Sequence, residues 1–392
     1  MIGSDDILAA LACREQPADA LCLDSAYSRL INERLAELPN GPSLLAAARA
    51  ARGLFPVDVA GWFRTHRCHS FVQPDEAVLE PPARYKPELH MLDGEWYFTE
   101  ETSKYLAALL DPEASLLLGV PTVANQLAAP TSVLVDRSPF VRDRFPGLTT
   151  AWLREDVSVV QPDGVFRTVL LDPPWNMAEL YSWIQLASHA VGHDGTLFLP
   201  LLGECTRPEA ADQRFTLLQH LRAAGEVDVF PDIIEYEIPL FEYRTLLSAG
   251  APLAGPWRRA DLVTVRLKRP VPVPPQTHAP DPLAGDWEPF RLGGQVVKLR
   301  RQTWSLTSGP FITPPPMTGG YTLQHISRRM FDPSQIGLWT SRNVVARVLD
   351  YATVRDLLEE LQGDETGLAA RGDGIRSRAG ARANELLRLL EI

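Results

Sequence analysis

The residues whose types and order could do chemistry are Asp172, Pro173, Pro174 and Trp175. They follow an apolar run, 168–171, that ends abruptly at the acid. A short apolar run bounded in this way predicts a buried parallel strand, and two prolines cannot continue a hydrogen-bonded ladder. We therefore expect Asp172 at the carboxyl end of a strand, where open α/β sheets bind their ligands.

A carboxylate in this position could act on an amine. When it accepts an N–H, helped by a carbonyl that proline holds rigid, it frees the nitrogen lone pair without a strong base. The ring of Trp175 could lie flat on a planar base, a contact worth about 1–3 kcal/mol. The tetrapeptide resembles the (D/N/S)PP(Y/F/W) motif of amino-methyltransferases that use S-adenosylmethionine, and its Trp form resembles the adenine-N6 enzymes of RNA. A purely structural Pro-Pro turn after a strand is the alternative.

Three more predicted strands end near small or acidic residues. The strands are 115–119, 132–135 and 150–153, and the residues at their ends are Gly119, Asp136 and Asp156. Right-handed crossovers would bring all these ends, with Asp172, to one edge of a parallel sheet. Asp136 comes seventeen residues after Gly119, close to the spacing at which nucleotide-binding folds place an acid on a ribose diol. For Asp136 and Asp156, helix capping is an equally good interpretation.

The stretch 95–268 resembles the probable N6-adenine methyltransferase family, whose eukaryotic members include elongation-factor lysine methyltransferases. The runs that carry the resemblance are WYFTEETSKYLAALL, SLLLGVPTVANQL, SVLVDRSPFVRDRFPG and TVLLDPPW. Val120-Pro121-Thr122 stands where many cofactor sites have a second glycine. The resemblance implies an α/β fold, with a Rossmann-like seven-stranded methyltransferase sheet, a helical N-terminal module and a mixed C-terminal module.

The resemblance also implies S-adenosyl-L-methionine as the cofactor and no metal. The implied cofactor contacts are Phe98 and Thr99 to the methionine part, Gly119 and Pro121 to its floor, Asp136 to the ribose and Asp156 to the adenine edge. The implied catalytic residues, which would hold the amine, are Asp172, Pro173, Pro174 and Trp175.

Downstream of this motif the elements close the sheet. Helices are predicted at 177–191 and 208–221, and strands at 195–202, 228–238 and 261–267, the last two as an antiparallel pair. Between that pair, 239–259 is predicted as a long loop rich in aromatic and basic residues. Phe241, Tyr243 and Arg244 are candidate substrate-binding residues in it, and an ordinary capping loop is the equal alternative.

Length and composition favour several modules in one chain. The chain has 392 residues, 45% hydrophobic and 22% charged, as in globular proteins that are not embedded in a membrane. Proline-rich connections suggest the domains 1–72, 90–270 and 286–392. Four cysteines without CxxC spacing, no signal-peptide pattern and no apolar run of about 20 residues favour a reducing cytoplasm and no membrane.

Charge bears on the partner. A net charge of −11 disfavours generic binding to nucleic acid, although a local basic groove stays open. Such a groove could form in the C-terminal module, which carries Lys298, Arg300, Arg301, Arg328, Arg329, Arg342 and Arg347. Scattered surface arginines are at least as good an interpretation.

One histidine-rich segment could be interpreted as a metal site, although this hypothesis is weaker than that of ordinary histidines. His66, Cys68, His69 and His90 could be ligands, but their spacing suits few tetrahedral zinc sites. Ordinary core or surface histidines are the default.

The sequence thus favours an N-methyltransferase that uses S-adenosylmethionine and acts on adenine N6 in nucleic acid. The alternatives are a protein lysine N-methyltransferase, and an inactive methyltransferase-like scaffold that binds a partner.

Overall fold

The computed structural model describes residues 18–38, 41–67, 71, 84–161, 165–253, 255–274, 286–301, 310–316, 318, 320–326, 332–363 and 380–390. The helices are α1 Ala18–Ala36, α2 Leu44–Ala50, α3 Pro56–Arg67, α4 Glu100–Leu109, α5 Pro121–Leu127, α6 Val141–Arg144, α7 Met177–Ala190, α8 Ala210–Ala224, α9 Leu240–Ser248, α10 Tyr351–Gly363 and α11 Gly380–Leu390. The strands are β1 Ser115–Leu118, β2 Val133–Val135, β3 Ala151–Leu153, β4 Phe166–Leu171, β5 Val191–Leu202, β6 Gly225–Glu235, β7 Arg259–Leu267, β8 Trp287–Leu292, β9 Gln295–Arg300, β10 Ile312–Thr313, β11 Leu338–Thr340 and β12 Val345–Val348. Short 3-10 turns occur at Met91–Asp93 and Pro333–Gln335.

The larger sheet has seven strands in the order β3-β2-β1-β4-β5-β7-β6. The first five are parallel, and β7 runs antiparallel to both β5 and β6. This mostly parallel sheet, with helices packed on it, confirms the predicted Rossmann-like methyltransferase fold. The carboxyl ends of β1, β2 and β4 therefore meet at one edge, as the strand pattern predicted.

The sequence of the central strands explains their place in the sheet. All four residues of β1 are buried, because a strand covered on both faces needs apolar side chains on both. Leu117 packs into the core on one face, with α4 and α5. Leu116 and Leu118 pack into the core on the other face, with α7 and α8.

The N-terminal helices cover the same edge of the sheet. Ser43 caps the short helix α2, Gly53 has a φ of +99° in the turn that follows, and Pro56 opens a separate helix. The guanidinium of Arg52 forms ion pairs with Glu204 after β5 and with Asp261 in β7. These pairs attach the N-terminal helices beside the carboxyl end of β5.

A second, antiparallel sheet has the order β10-β12-β11-β9-β8 and packs against α10 and α11. It contacts the larger domain through the segment 84–98, which lies just before α4. Glu88, 4% exposed, accepts hydrogen bonds from Ser341 and from Arg342. Lys298 forms an ion pair with Asp93. Two of the basic residues of the C-terminal module are therefore used inside the molecule, and Arg328 and Arg329 lie outside the described residues.

Candidate active site

Asp172 lies at the carboxyl end of β4, as its sequence context predicted. Its backbone N–H donates to Leu118 O at 3.1 Å, so it sits beside the end of β1. The side chain is half-buried, and its Oδ1 accepts a hydrogen bond from the Tyr236 hydroxyl at 2.8 Å. Burial raises the pKa of Asp172 to about 7, although the Tyr236 hydrogen bond lowers it. A carboxyl with this pKa can gain and lose a proton near neutral pH.

Tyr236 is the residue that sequence reasoning missed at this position. It follows β6, is 1% exposed, and pairs through its backbone with Phe98, just before α4. Its ring centroid lies 4.9 Å from that of Phe98 and 5.8 Å from that of Trp175. Burial and the neighbouring Asp172 hold the pKa of Tyr236 well above its usual value, so the phenol stays a hydrogen-bond donor.

The two prolines and Trp175 form a fixed turn. The carbonyl of Pro174 accepts a hydrogen bond from Asn176 N at 2.8 Å, and the Asn176 side chain then caps α7. The Pro174 carbonyl is thus used within the turn. The indole of Trp175 is partly buried and meets the Tyr236 ring edge to face, at 84°. These residues lie together around Asp172.

The loop after β1 needs glycine at position 119. Gly119 has a φ of +69°, and a Cβ there would lie 2.9 Å from the Trp183 ring. Its N–H donates to Val135 O, which ties the end of β1 to β2. Pro121 then starts α5, where its missing N–H costs nothing. The backbone of this loop therefore lies close to Asp172, whose carbonyl oxygen would be 3.5 Å from that Cβ.

The acids after β2 and β3 both make local turns and do not cap helices, since α6 begins only at Val141, without a side-chain cap, and residues 157–159 form a turn. Asp136 Oδ1 accepts from Ser138 N at 2.8 Å, and Asp156 Oδ1 accepts from Ser158 N at 2.9 Å. Burial, and then the nearby Glu95, raise the pKa of Asp136 to about 7. Although burial opposes it, hydrogen bonds from Ser158 hold the pKa of Asp156 below its usual value.

A buried ion pair supports the region beside Asp136. Arg144 donates to Glu95 Oε1 at 2.6 Å, to the Tyr97 hydroxyl at 3.0 Å, and to the carbonyls of Pro87 and Glu88. A buried guanidinium needs this full set of acceptors. No local pattern predicts this network, because its members come from three separated segments.

Phe98 and Thr99 lie at the start of α4. The Thr99 hydroxyl accepts from Thr102 N at 3.3 Å, so it caps the helix. A cavity of about 200 Å³ opens beside Phe98, between α4 and α5. Ser103 lines it, and its buried hydroxyl has no hydrogen-bond partner among the residues described.

The prediction of a long loop at 239–259 was wrong. Residues Leu240–Ser248 form α9, because this run of nine residues contains neither proline nor glycine and buries one face. Phe241 is 0% exposed and Tyr243 is 2% exposed, so both rings belong to the protein interior. Arg244 is half-buried on the same helix. The two aromatic rings therefore have a structural role, which agrees better with the alternative of an ordinary capping segment. A role for Phe241, Tyr243 and Arg244 in binding substrate stays a prediction.

The histidine-rich segment shows no assembled metal site among the described residues. Cys68 and His69 lie outside them. His66 Nδ1 lies 3.0 Å from Trp62 O, one helical turn earlier. His90 is fully buried, between Trp339 O and Leu92 N, and burial lowers its pKa to about 3. His90 therefore acts as a neutral structural residue.

No protein-family model matches the chain, and no curated protein matches it. Among solved structures, this chain is similar to the C9 mutein of the branched-chain polyamine synthase from Thermus thermophilus, in complex with N4-aminopropylspermidine and 5′-methylthioadenosine. The TM-score is 0.50 and the identity 16%, over 67% of this chain and 95% of that one. A second structure of that synthase has a TM-score of 0.46 and 17% identity, over 66% and 96%. An rRNA methylase from Streptococcus thermophilus has a TM-score of 0.28 and 11% identity, over 43% and 94%. At 16% identity the first likeness shows the fold alone. No helix in the described part of the chain meets the length and hydropathy needed to cross a membrane.

Proposed function

We propose that this protein transfers an alkyl group, in the first instance a methyl group, from S-adenosylmethionine to an amine nitrogen. The observation that carries the proposal is Asp172: a half-buried carboxyl with a pKa of about 7, at the carboxyl end of β4, fixed by Tyr236 and next to Gly119. Its Oδ2 has no hydrogen-bond donor among the described residues. That oxygen can therefore receive an N–H from a substrate.

The residues around Gly119 suit an adenosyl donor. Gly119 has a positive φ and no Cβ, so it adds no side chain of its own to the loop, and the Trp183 ring lies where that Cβ would be. Asp136 uses one oxygen in its turn, so the other can bind a ribose diol. Phe98, Thr99, Pro121 and Asp156 are the remaining proposed contacts. When bound, the donor supplies a sulfonium carbon that is open to attack by a nucleophile.

We propose an aliphatic amine, such as a polyamine or a lysine side chain, as the acceptor. Such an amine has a pKa of about 10.4, so it is protonated at pH 7 and must lose a proton before it can attack. Asp172 takes that proton, because a base with a pKa near the working pH is suited to this step. The nitrogen lone pair then forms the new C–N bond as the C–S bond breaks, and the sulfonium becomes a neutral thioether. The polyamine-synthase structure, which has a similar fold, is in complex with an aliphatic amine, N4-aminopropylspermidine.

Adenine N6, the acceptor expected from the sequence, is the second candidate. The observation that favours it is Trp175, whose ring packs on Tyr236, the hydrogen-bond partner of Asp172, and could stack on a base. The exocyclic amine of adenine is neutral at pH 7, so it would use Asp172 only as a hydrogen-bond acceptor.

The test is label transfer from methyl-labelled S-adenosylmethionine to spermidine, total protein and total RNA and DNA in parallel. We expect label in an amine fraction from the wild-type protein and none from Asp172→Asn, which keeps the shape but not the base. Analysis of the spent donor separates two transfers: S-adenosylhomocysteine marks methyl transfer, whereas 5′-methylthioadenosine from a decarboxylated donor marks aminopropyl transfer. Binding of neither donor in calorimetry would favour the inactive scaffold and refute the proposal.

A further inference from the structure

One guanidinium lies among three indoles beside Asp172. The Cζ of Arg258 lies 4.7 Å from the ring centroid of Trp257 and 5.3 Å from that of Trp96. It also lies 5.5 Å from the ring centroid of Trp175. Planar guanidinium groups stack favourably on indole faces. Of the three indoles, that of Trp175 belongs to the turn that carries Asp172.

A buried carboxylate holds this guanidinium in place. Glu242, on α9, is 1% exposed, and both its oxygens lie within 3.2 Å of Arg258 Nη2. The same carboxylate accepts from Trp257 Nε1 at 2.8 Å and from Trp96 Nε1 at 2.5 Å. Since a buried charge is stable only when fully paired, Glu242 fixes all three donors at once. It also offsets the positive charge of Arg258.

Arg258 is also connected to the residue that binds Asp172. Its backbone carbonyl accepts a hydrogen bond from Tyr236 N at 3.1 Å. Arg258, just before β7, and Tyr236, just after β6, are therefore neighbours. The Trp175 indole meets Tyr236 on one side and the Arg258 guanidinium on another. The Nε of Arg258 is buried and has no hydrogen-bond partner among the described residues.

We infer that Arg258 is a positioning residue of the acceptor site: with Glu242 behind it, its guanidinium holds the Trp175 indole at the angle that the acceptor requires. This inference rests on the proposed function and concerns the acceptor, not the donor. The charge on Arg258 matters in a second way. Glu242 neutralises it, so a cationic amine can approach Trp175 without meeting an uncompensated positive charge.

The experiment compares Arg258→Lys with wild type, using spermidine as the acceptor and S-adenosylhomocysteine as the donor-site probe. Lysine keeps the charge but loses the plane that stacks on the indoles. We expect the KM for spermidine to rise about 10-fold, because small misplacements at a reacting centre are costly, while the Kd for S-adenosylhomocysteine stays within about twofold. Arg167→Lys is the matched control, since the Arg167 side chain is 78% exposed and lies at the start of β4, at the opposite end from Asp172.

A second variant tests the charge. Glu242→Gln keeps the shape of the carboxylate but exposes the charge of Arg258, so the KM for spermidine should rise more at low than at high ionic strength. An unchanged KM in Arg258→Lys, or a loss of donor binding and Tm together with KM, would overturn the inference. Failure of the proposed function looks different: the wild-type protein itself would then transfer no group to spermidine or to any other amine.

Discussion

Replacing Tyr236 with Phe removes one hydroxyl and tests whether Asp172 is the base. The Tyr236 hydroxyl donates to Asp172 Oδ1 at 2.8 Å, and a hydrogen bond to a charged group is worth about 1.5–3 kcal/mol. Because that bond favours the ionised carboxylate, its loss should raise the pKa of Asp172. At 1.36 kcal/mol per unit, the rise is about 1–2 units above the wild-type value of about 7.

The assay is the pH dependence of kcat/KM between pH 5 and 10. Activity needs the carboxylate, so it increases as pH rises through the pKa of Asp172, and the variant's increase should come at higher pH. At pH 7 the ionised fraction falls from about one half to about 1–10%, which predicts roughly a 5- to 50-fold loss of rate. At pH 9.5 the variant should recover to within about twofold of wild type. An acid limb that does not move, with a rate loss equal at every pH, would refute the role of Asp172 as a base.

Three further variants test other parts of the site. Asp172→Asn should stabilise the protein above pH 7, as measured by thermal unfolding at pH 5 and pH 8. The folded-state pKa of Asp172, about 7, lies above its unfolded value, so the wild-type protein loses stability as the pH rises toward 7, and the variant with the amide does not. Gly119→Ala should cost about 1–2 kcal/mol of stability, because of its φ of +69°, and should weaken binding of S-adenosylhomocysteine at least 10-fold in calorimetry. Arg342→Ala leaves the buried Glu88 carboxylate without its ion-pair partner, although the Ser341 hydroxyl still donates to it, and should cost about 3 kcal/mol in denaturant unfolding.

Gly119→Ala and Arg342→Ala each have a counterpart that should change little. A Cβ at Gly147 meets nothing within 4 Å, so Gly147→Ala should leave donor binding intact. Arg347 is exposed, so Arg347→Ala should unfold like wild type. If Gly147→Ala weakened donor binding as much as Gly119→Ala, the argument from the loop after β1 would fail. If Arg342→Ala lost less than 1 kcal/mol, Glu88 would have another way to stay paired.

The sequence predicted the central strands well, because their signal is local. The runs that become β1, β2 and β4 are apolar on both faces and end in glycine, acid or proline, so both their burial and their carboxyl ends could be predicted. The placement of Asp172 followed from the same signal.

The partners of Asp172 and Trp175 could not be predicted in this way. Tyr236 is 64 residues from Asp172, and the contact depends on how β6 returns across the sheet. The stacking of Arg258 on Trp175 depends likewise on the reversed strand β7 and on Glu242 in α9. The helix α9 was missed because the aromatic and basic residues around it were interpreted as binding groups, whereas the aromatic ones fill the interior.

The choice of boundaries for a shorter, folded fragment depends on the contacts of Tyr85, Pro87 and Glu88. A fragment that begins at residue 90, the boundary suggested by the proline-rich connection, would remove two carbonyl acceptors of Arg144. It would also strip the Tyr85 ring from the Tyr97 ring, 4.9 Å away. Truncation before the second sheet would strand Glu88 without Arg342. Expression of residues 90–270 alone is therefore expected to yield an aggregation-prone polypeptide. A workable boundary has to fall upstream of residue 84 and keep the C-terminal strands.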